Sequence, residues 1–330
     1  MSIPVIMRAL QQASLNGPQD LSMITDATVP TPGPGQVLVK VTAAGVNIAD
    51  LSQARGTFRG GPQPPYLAGF EATGEVVALG EGVTNIGLGA EVIGVGYGAF
   101  AEYMVLAAAA AMPIPSGWTG EQALGLPVNL PTAVAVLKPL GQLAAGQAVL
   151  IHAAAGATGQ AAVKIAKHYG AVVIGTASPE KHEVVRSLGA DHVLDSRSDD
   201  LATQVLALTG GEGADLVIES VGGDTFGASL AATRRVTGRV VVTGLPAGMA
   251  SLSNWDLVYE HQVQIIGFNM GKLIQVAPRI FGDVMSELFK LIGAGVLTPV
   301  QPTIYELADG PRALAILEGR ASIGKLALRV

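Results

Sequence analysis

Residues 148–178 read AVLIHAAAGATGQAAVKIAKHYGAVVIGTAS. The stretch opens with an apolar run, Ala148-Val149-Leu150-Ile151, which reads as a buried strand. Small residues follow over 153–159. Helical periodicity then runs over 160–169, with Ala162, Val163, Ile165 and Ala166 on the inner face. Gly170 stands where a helix C-terminal glycine is expected. A second apolar run, 172–176, closes a βαβ unit. The turn before the helix carries the chemistry. A helix N-terminus offers unpaired N–H groups and partial positive charge, so it attracts a pyrophosphate. The pattern Ala154-x-Gly156-x-x-Gly159 keeps two of the three glycines of the dinucleotide fingerprint. A glycine-rich helix cap is the plainer alternative. The strands on both sides favour a nucleotide site, with Ala155, Gly156, Ala157, Thr158 and Gly159 around the pyrophosphate.

The end of the second strand selects the nucleotide. An NAD site usually ends that strand with Asp or Glu, which binds the ribose 2′-OH. Here the place reads Gly175-Thr176-Ala177-Ser178-Pro179-Glu180-Lys181, and no acid ends the strand. Thr176, Ser178 and Lys181 suit a 2′-phosphate through hydrogen bonds and charge. The expected cofactor is therefore NADPH. Glu180 beside Lys181 weakens such a site, and Lys181 as a solvated residue of the next helix is the plainer alternative.

Composition narrows the class. The 330 residues suggest about two domains. Charged residues make up 14%, but no apolar run approaches the roughly 20 residues that cross a bilayer. The formal net charge is −6 without a basic cluster, which argues against nucleic acid as a partner. No signal peptide is visible at residues 1–7, so the cytoplasm is the expected compartment. There is no cysteine, hence no disulfide, thiolate nucleophile or cysteine-ligated metal.

Before residue 120 the chain reads as short strands with closely spaced turns, among them 36–44, 72–79, 90–94 and 98–106. Five alanines at 107–111 suggest tight packing between strands. From Gly120 helical periods enter, at 121–126 and 131–137. After the βαβ unit strand and helix alternate: helix 180–188, strand 192–195, helix 199–208, strand 214–220, helix 225–233, strand 239–244, strand 263–268 and a long amphipathic helix over 277–293. Such alternation predicts a doubly wound parallel sheet.

The order of these parts resembles the medium-chain dehydrogenase/reductase superfamily. Gly45-Val46-Asn47-Ile48-Ala49-Asp50, Gly69-Phe70-Glu71-Ala72-Thr73-Gly74, residues 152–159, Glu219-Ser220-Val221-Gly222-Gly223 and Ile323-Gly324-Lys325-Leu326 are similar to its zinc-free branch, the NADPH:quinone oxidoreductases and related enoyl reductases. The resemblance implies an α/β chain with a chaperonin-10-like β-rich catalytic domain at 1–123 and 268–330, and a Rossmann NADPH-binding domain at 124–267. It also implies a homodimer through the last strand of the sheet. The zinc enzymes of the superfamily place cysteine and histidine where this chain has Asn47 and Phe70, and its five histidines are scattered, so no metal site is expected.

By the same resemblance Asn47 faces the nicotinamide, as a neutral donor to the substrate oxygen. Its plainer role is to satisfy loop backbone. Asn129 is a second candidate, and Thr132 either contacts the nicotinamide or caps a helix. Asp50 and Glu71 read as structural, Glu71 through a buried pair with an arginine. Phe58, Tyr66, Phe70 and Phe268 are aromatic candidates for the pocket. Ser196 stands where the family often has a tyrosine beside the phosphate. Val221, Gly244, Phe268, Asn269 and Lys325 lie in segments that touch the cofactor in the family. The implied activity is zinc-independent hydride transfer from NADPH to a quinone or an activated C=C. An enoyl-thioester reductase of polyketide or fatty-acid type is the alternative enzyme, and a non-catalytic, crystallin-like NADPH-binding protein the alternative from another class.

Overall fold

The structure, a computed structural model, describes residues 3–330. The chain divides into two compact units: residues up to Pro127 together with Pro299–Val330, and Val128–Thr298.

The first unit is a β-rich body. Strands β1 (Ile6–Gln12) and β2 (Leu21–Thr28) pair antiparallel, and β1 also pairs β4 (Tyr66–Leu67). Strand β3 (Gln36–Val46) is the spine, with β5 (Glu71–Leu79) and β7 (Tyr103–Ala107) antiparallel to it. Strand β6 (Glu91–Val95) extends the sheet from β5, and β8 (Met112–Pro113) extends it from β6. Val37, Val39, Val41, Val76, Phe100 and Leu106 form its core, so the alternation read in the sequence buries one face. Helix α1 (Ile48–Ala54) follows β3 directly, and α2 (Gly120–Ala123) ends this part. The five alanines are not an inter-strand packing site. Ala107 ends β7, and 108–110 form a turn closed by Ala110 N–H to Ala107 O at 2.9 Å. A run of small side chains carries no periodic signal that separates strand from turn.

The second unit starts with α3 (Asn129–Leu137) and β9 (Ala148–Ile151). Then come α4 (Ala157–His168), β10 (Val172–Ala177), α5 (His182–Ser187), β11 (His192–Asp195), α6 (Leu201–Leu208), β12 (Leu216–Glu219), α7 (Asp224–Ala232), β13 (Arg239–Val242) and β14 (Gln264–Gly267). The sheet order is β11-β10-β9-β12-β13-β14, and every pair is parallel. This is the strand order of the doubly wound dinucleotide-binding fold, which reverses beside β9. Helices α8 (Met270–Val276) and α9 (Pro278–Gly293) complete the unit. Val284, Leu288 and Leu291 are the buried stripe of α9, which packs on α3. The chain therefore leaves this unit after Thr298, later than the 267/268 boundary expected from the sequence.

The last segment returns to the first sheet as β15 (Thr303–Glu306), α10 (Gly310–Glu318) and β16 (Leu326–Arg329). Strand β16 pairs antiparallel with β3, bringing Leu326 opposite Val46. Among the described residues, no helix is long and apolar enough to cross a membrane.

Candidate cofactor and active site

The glycine turn has the geometry its sequence suggested, with one addition. Gly156 is the N-cap of α4, in extended conformation. The helix begins at Ala157, three residues before the apolar periodicity, because the turn's small residues give no hydrophobic signal. Gln160 N–H reaches Gly156 O at 2.8 Å, so helix geometry leaves the N–H groups of Ala157, Thr158 and Gly159 pointing out of the helix end. A Cβ on Gly159 would lie 2.3 Å from Ala153 O and 2.7 Å from Ala154 Cα, so the turn after β9 and the helix meet in van der Waals contact there. Ala153 adopts φ 50°, a left-handed conformation uncommon outside glycine. No sequence signal marked it. Ala155 is buried, and its carbonyl accepts from Gln160 Nε2 at 3.0 Å. Asn129 Nδ2 donates to Thr158 Oγ1 at 3.2 Å, which places that candidate beside the turn. The Thr132 hydroxyl donates to Val128 O at 2.7 Å, one turn back along its own helix.

Thr176 is not a phosphate donor in this structure. It is 1% exposed, and its Oγ1 lies 3.1 Å from His152 Nδ1. His152 Nε2 lies 2.9 Å from Ser229 Oγ, and the Ser229 hydroxyl reaches Glu219 Oε2 at 3.0 Å. Glu219 Oε1 accepts from the N–H groups of Val221 (2.6 Å) and Gly222 (3.0 Å). These partners fix the direction of the whole chain of bonds. Thr225 O lies 2.8 Å from Ser229 Oγ and can only accept, so the one Ser229 hydrogen points to it or to Glu219 Oε2 and not to His152. His152 Nε2 must then carry hydrogen, which leaves Nδ1 to accept from Thr176. Burial holds the His152 pKa below its usual value, against the pull of Glu219, so the ring is neutral. The relay spans the neighbouring strands β10, β9 and β12. It also turns the Val221 N–H inward, so this loop cannot offer that donor to a cofactor.

Past the end of β10, Ser178 Oγ donates to Glu180 Oε1 at 2.6 Å, and Arg197 Nη2 lies 3.6 Å from the same oxygen. Lys181 is 8% exposed rather than solvated; burial lowers its pKa, and Glu180 opposes that shift. The expected helix over 180–188 begins as a 3-10 turn, Pro179–Lys181, before α5. Ser196 is exposed, and its N–H is bound to Ala177 O at 2.9 Å. Arg197 escaped the sequence reading, because only the pairing of β10 with β11 brings it next to Glu180. Gly244 follows β13 at its carboxyl end. Phe268 continues β14, its N–H bound to Val242 O at 2.9 Å, and Asn269 caps α8 by accepting from Lys272 N–H at 2.9 Å.

In the first unit, Asn47 is 5% exposed and sits in a buried ionic cluster. Its Nδ2 donates to Glu71 Oε2 at 2.7 Å and, more weakly, to Gly45 O at 3.3 Å. Lys325 Nζ donates to Asn47 Oδ1 at 2.7 Å and to Glu71 Oε2 at 2.6 Å. Gly125 N–H binds the other Glu71 oxygen. The partner of Glu71 is thus a lysine, not the expected arginine. Lys325 holds this cluster together, although its motif suggested a cofactor contact.

Asp50 Oδ2 accepts from Asn47 N–H at 2.8 Å and caps α1, while Oδ1 has no partner among the described residues. Burial pushes the Asp50 pKa up to about 8, against the pull of Asn47 N–H and Lys325. The folded state therefore holds a proton that the unfolded chain, with its usual carboxyl pKa of about 3.9, has released. Stability falls as pH rises from about 4 toward 8. Asp50→Asn is expected to remove that decline. Melting midpoints at pH 5 and pH 8 check it. An unchanged difference between the two pH values would show that Asp50 is ionised in the fold. The neutral His152 gives a slope of opposite sign below about pH 6.5, common to both proteins.

The donor set does not fit zinc. Asn47 Oδ1 already faces an ammonium, Phe70 offers no ligand, and among the described residues no three His, Asp or Glu side chains come together.

The fold and both clusters define a two-part dehydrogenase/reductase. Residues 33–116 match the family model of the alcohol dehydrogenase GroES-like domain, and 157–290 match that of the zinc-binding dehydrogenases. The chain is 39% identical over 248 residues to a probable quinone oxidoreductase of Leishmania amazonensis, covering 74% of this chain and 72% of that protein. It is 33% identical over 303 residues to the pikromycin polyketide synthase component PikAII of Streptomyces venezuelae; these are 90% of this chain, but only 8% of that much longer protein. The structure of Escherichia coli quinone oxidoreductase complexed with NADPH superposes with a TM-score of 0.90 at 28% identity, covering 98% of this chain and 100% of that one. The chain belongs to the medium-chain dehydrogenase/reductase superfamily, in its zinc-free branch of quinone oxidoreductases and enoyl reductases.

Proposed function

We propose that the protein is an NADPH-dependent oxidoreductase that delivers hydride to a quinone or to an activated C=C bond. The observation that carries this reading is the second unit's pairing of features. A helix N-terminus is packed against the turn before it at Gly159, and Lys181 lies past the end of β10, which carries no acid, with Arg197 supplied from beyond the end of β11. The residues fit the cofactor: Ala157, Thr158 and Gly159 hold the pyrophosphate by backbone, and Ser178, Lys181 and Arg197 surround the 2′-phosphate. When bound, NADPH supplies the hydride.

The chain's own part is to orient the acceptor and to bear the charge that develops on its oxygen. Asn47 supports that role. The ammonium of Lys325 on its Oδ1 polarises the amide and strengthens its N–H groups as donors. One of these hydrogens is held by a long bond to Gly45 O, which a substrate oxygen can replace. Asn129, bound to Thr158 beside the turn, is the second neutral amide assigned to this work.

The test is NADPH consumption by the purified protein, with a simple ortho-quinone and a short enoyl thioester offered in parallel. Turnover of the quinone supports the quinone reductase reading. Saturable turnover of the thioester alone moves the assignment to the enoyl reductases, which the likeness to PikAII favours. NADPH binding without turnover of either would leave the non-catalytic reading.

A further inference from the structure

We propose that Glu180 sets the cofactor preference, because its carboxylate occupies the place that the 2′-phosphate of NADPH takes. The assignment rests on the NADPH reading above and names a specificity residue within that site. Two donors converge here, and a lysine adjoins them in the chain. The Ser178 hydroxyl donates to Glu180 Oε1 at 2.6 Å, Arg197 Nη2 lies 3.6 Å from the same oxygen, and Lys181 follows Glu180 in the chain. A hydroxyl and a guanidinium at one anionic oxygen, with a lysine next in the chain, form a donor set that recognises a phosphate. The backbone holds the set in place. Ala177 is in register with Asp195, Ser196 N–H is tied to Ala177 O at 2.9 Å, and Arg197 N–H to Asp195 Oδ1 at 3.0 Å.

The two cofactors meet Glu180 differently. A 2′-phosphate carries about two negative charges, so it must displace the carboxylate from Ser178 and Arg197 and then endure its proximity. The Glu180 side chain is 61% exposed, so solvent leaves it room to swing away. A ribose 2′-hydroxyl instead donates to the carboxylate where it stands. Glu180 thus acts as the strand-end acid of NAD-binding folds does, from three residues beyond the end of β10. Its carboxyl is held below the usual range, chiefly by the Ser178 hydroxyl, and stays ionised at neutral pH.

Fluorescence titration of NADPH and NADH against the wild-type protein, Glu180→Gln and Arg197→Gln tests this. Glutamine keeps an acceptor for Ser178 and removes only the charge. Glu180→Gln is expected to tighten NADPH by about tenfold and to weaken NADH by about twofold. Arg197→Gln is expected to weaken NADPH by about threefold or more with NADH unchanged. A change of less than twofold in the NADPH:NADH ratio on Glu180→Gln overturns the proposal, and so does an equal shift for both cofactors. A wild-type preference for NADH that Glu180→Gln converts to NADPH would overturn only the NADPH reading and uphold the role of Glu180. Binding of neither cofactor by the wild type overturns both.

Discussion

Lys325→Ala is expected to cost about 3–5 kcal/mol of stability, because it leaves a buried carboxylate without its counter-charge. Glu71 is fully buried, with one oxygen held by Lys325 and Asn47 and the other by the Gly125 N–H. Removing the ammonium strands that charge in the β-rich unit and also frees Asn47 Oδ1. Urea unfolding of the single variant measures the loss. The double variant Lys325→Met with Glu71→Gln removes both charges and is expected to recover most of it, since a buried pair replaced as a pair is often neutral. A single-variant loss below about 1 kcal/mol would show that water reaches Glu71 once the lysine is gone, as at an exposed ion pair. The experiment thus reads the burial of the cluster, which is also what keeps the Asn47 amide in one orientation.

Gly159→Ala is expected to lower NADPH affinity by at least about tenfold, the worth of a hydrogen bond to a charged group. Its Cβ would stand 2.3 Å from Ala153 O, and this neighbour is backbone that cannot rotate aside. The start of α4 must move away from the turn after β9, and its N–H groups leave the pyrophosphate position. The overpacking itself is expected to cost about 1–3 kcal/mol. Gly156→Ala is the control for stability alone, since Gly156 itself borders the pyrophosphate position. With φ −80° and only Ala153 O within 4 Å of its Cβ, at 3.3 Å, Gly156 accepts a methyl in the fold. Urea unfolding of both variants and fluorescence titration of Gly159→Ala against the wild type give the comparison. NADPH affinity of Gly159→Ala equal to that of the wild type would remove the turn from the cofactor site.

Much of this was legible in the chain because it is written locally. The strand at 148–151, the glycines at 156 and 159 and the next strand are adjacent in sequence, and each leaves a short-range signal. The missing acid at the end of β10 was equally plain. The residues misread are those whose partners lie elsewhere. Thr176 has a phosphate binder's hydroxyl, but the neighbouring strand presents His152 to it. Val221 lies in a cofactor-type loop, yet Glu219 turns its N–H inward. The five alanines had no periodicity to read, and only the hydrogen bonds of the turn separate them from strand.

The sequence alone determined the α/β class, the βαβ unit and the site of the glycine turn, because hydrophobic period and glycine position act within a few residues. The tertiary structure decided what each polar side chain does. Glu71 and Lys325 are 254 positions apart and meet because β16 pairs with β3. Glu180 and Arg197 meet because β11 lies beside β10. A buried charge takes its counter-charge, and a buried hydroxyl its acceptor, from whatever the sheet register sets opposite, and no local window of sequence contains that register.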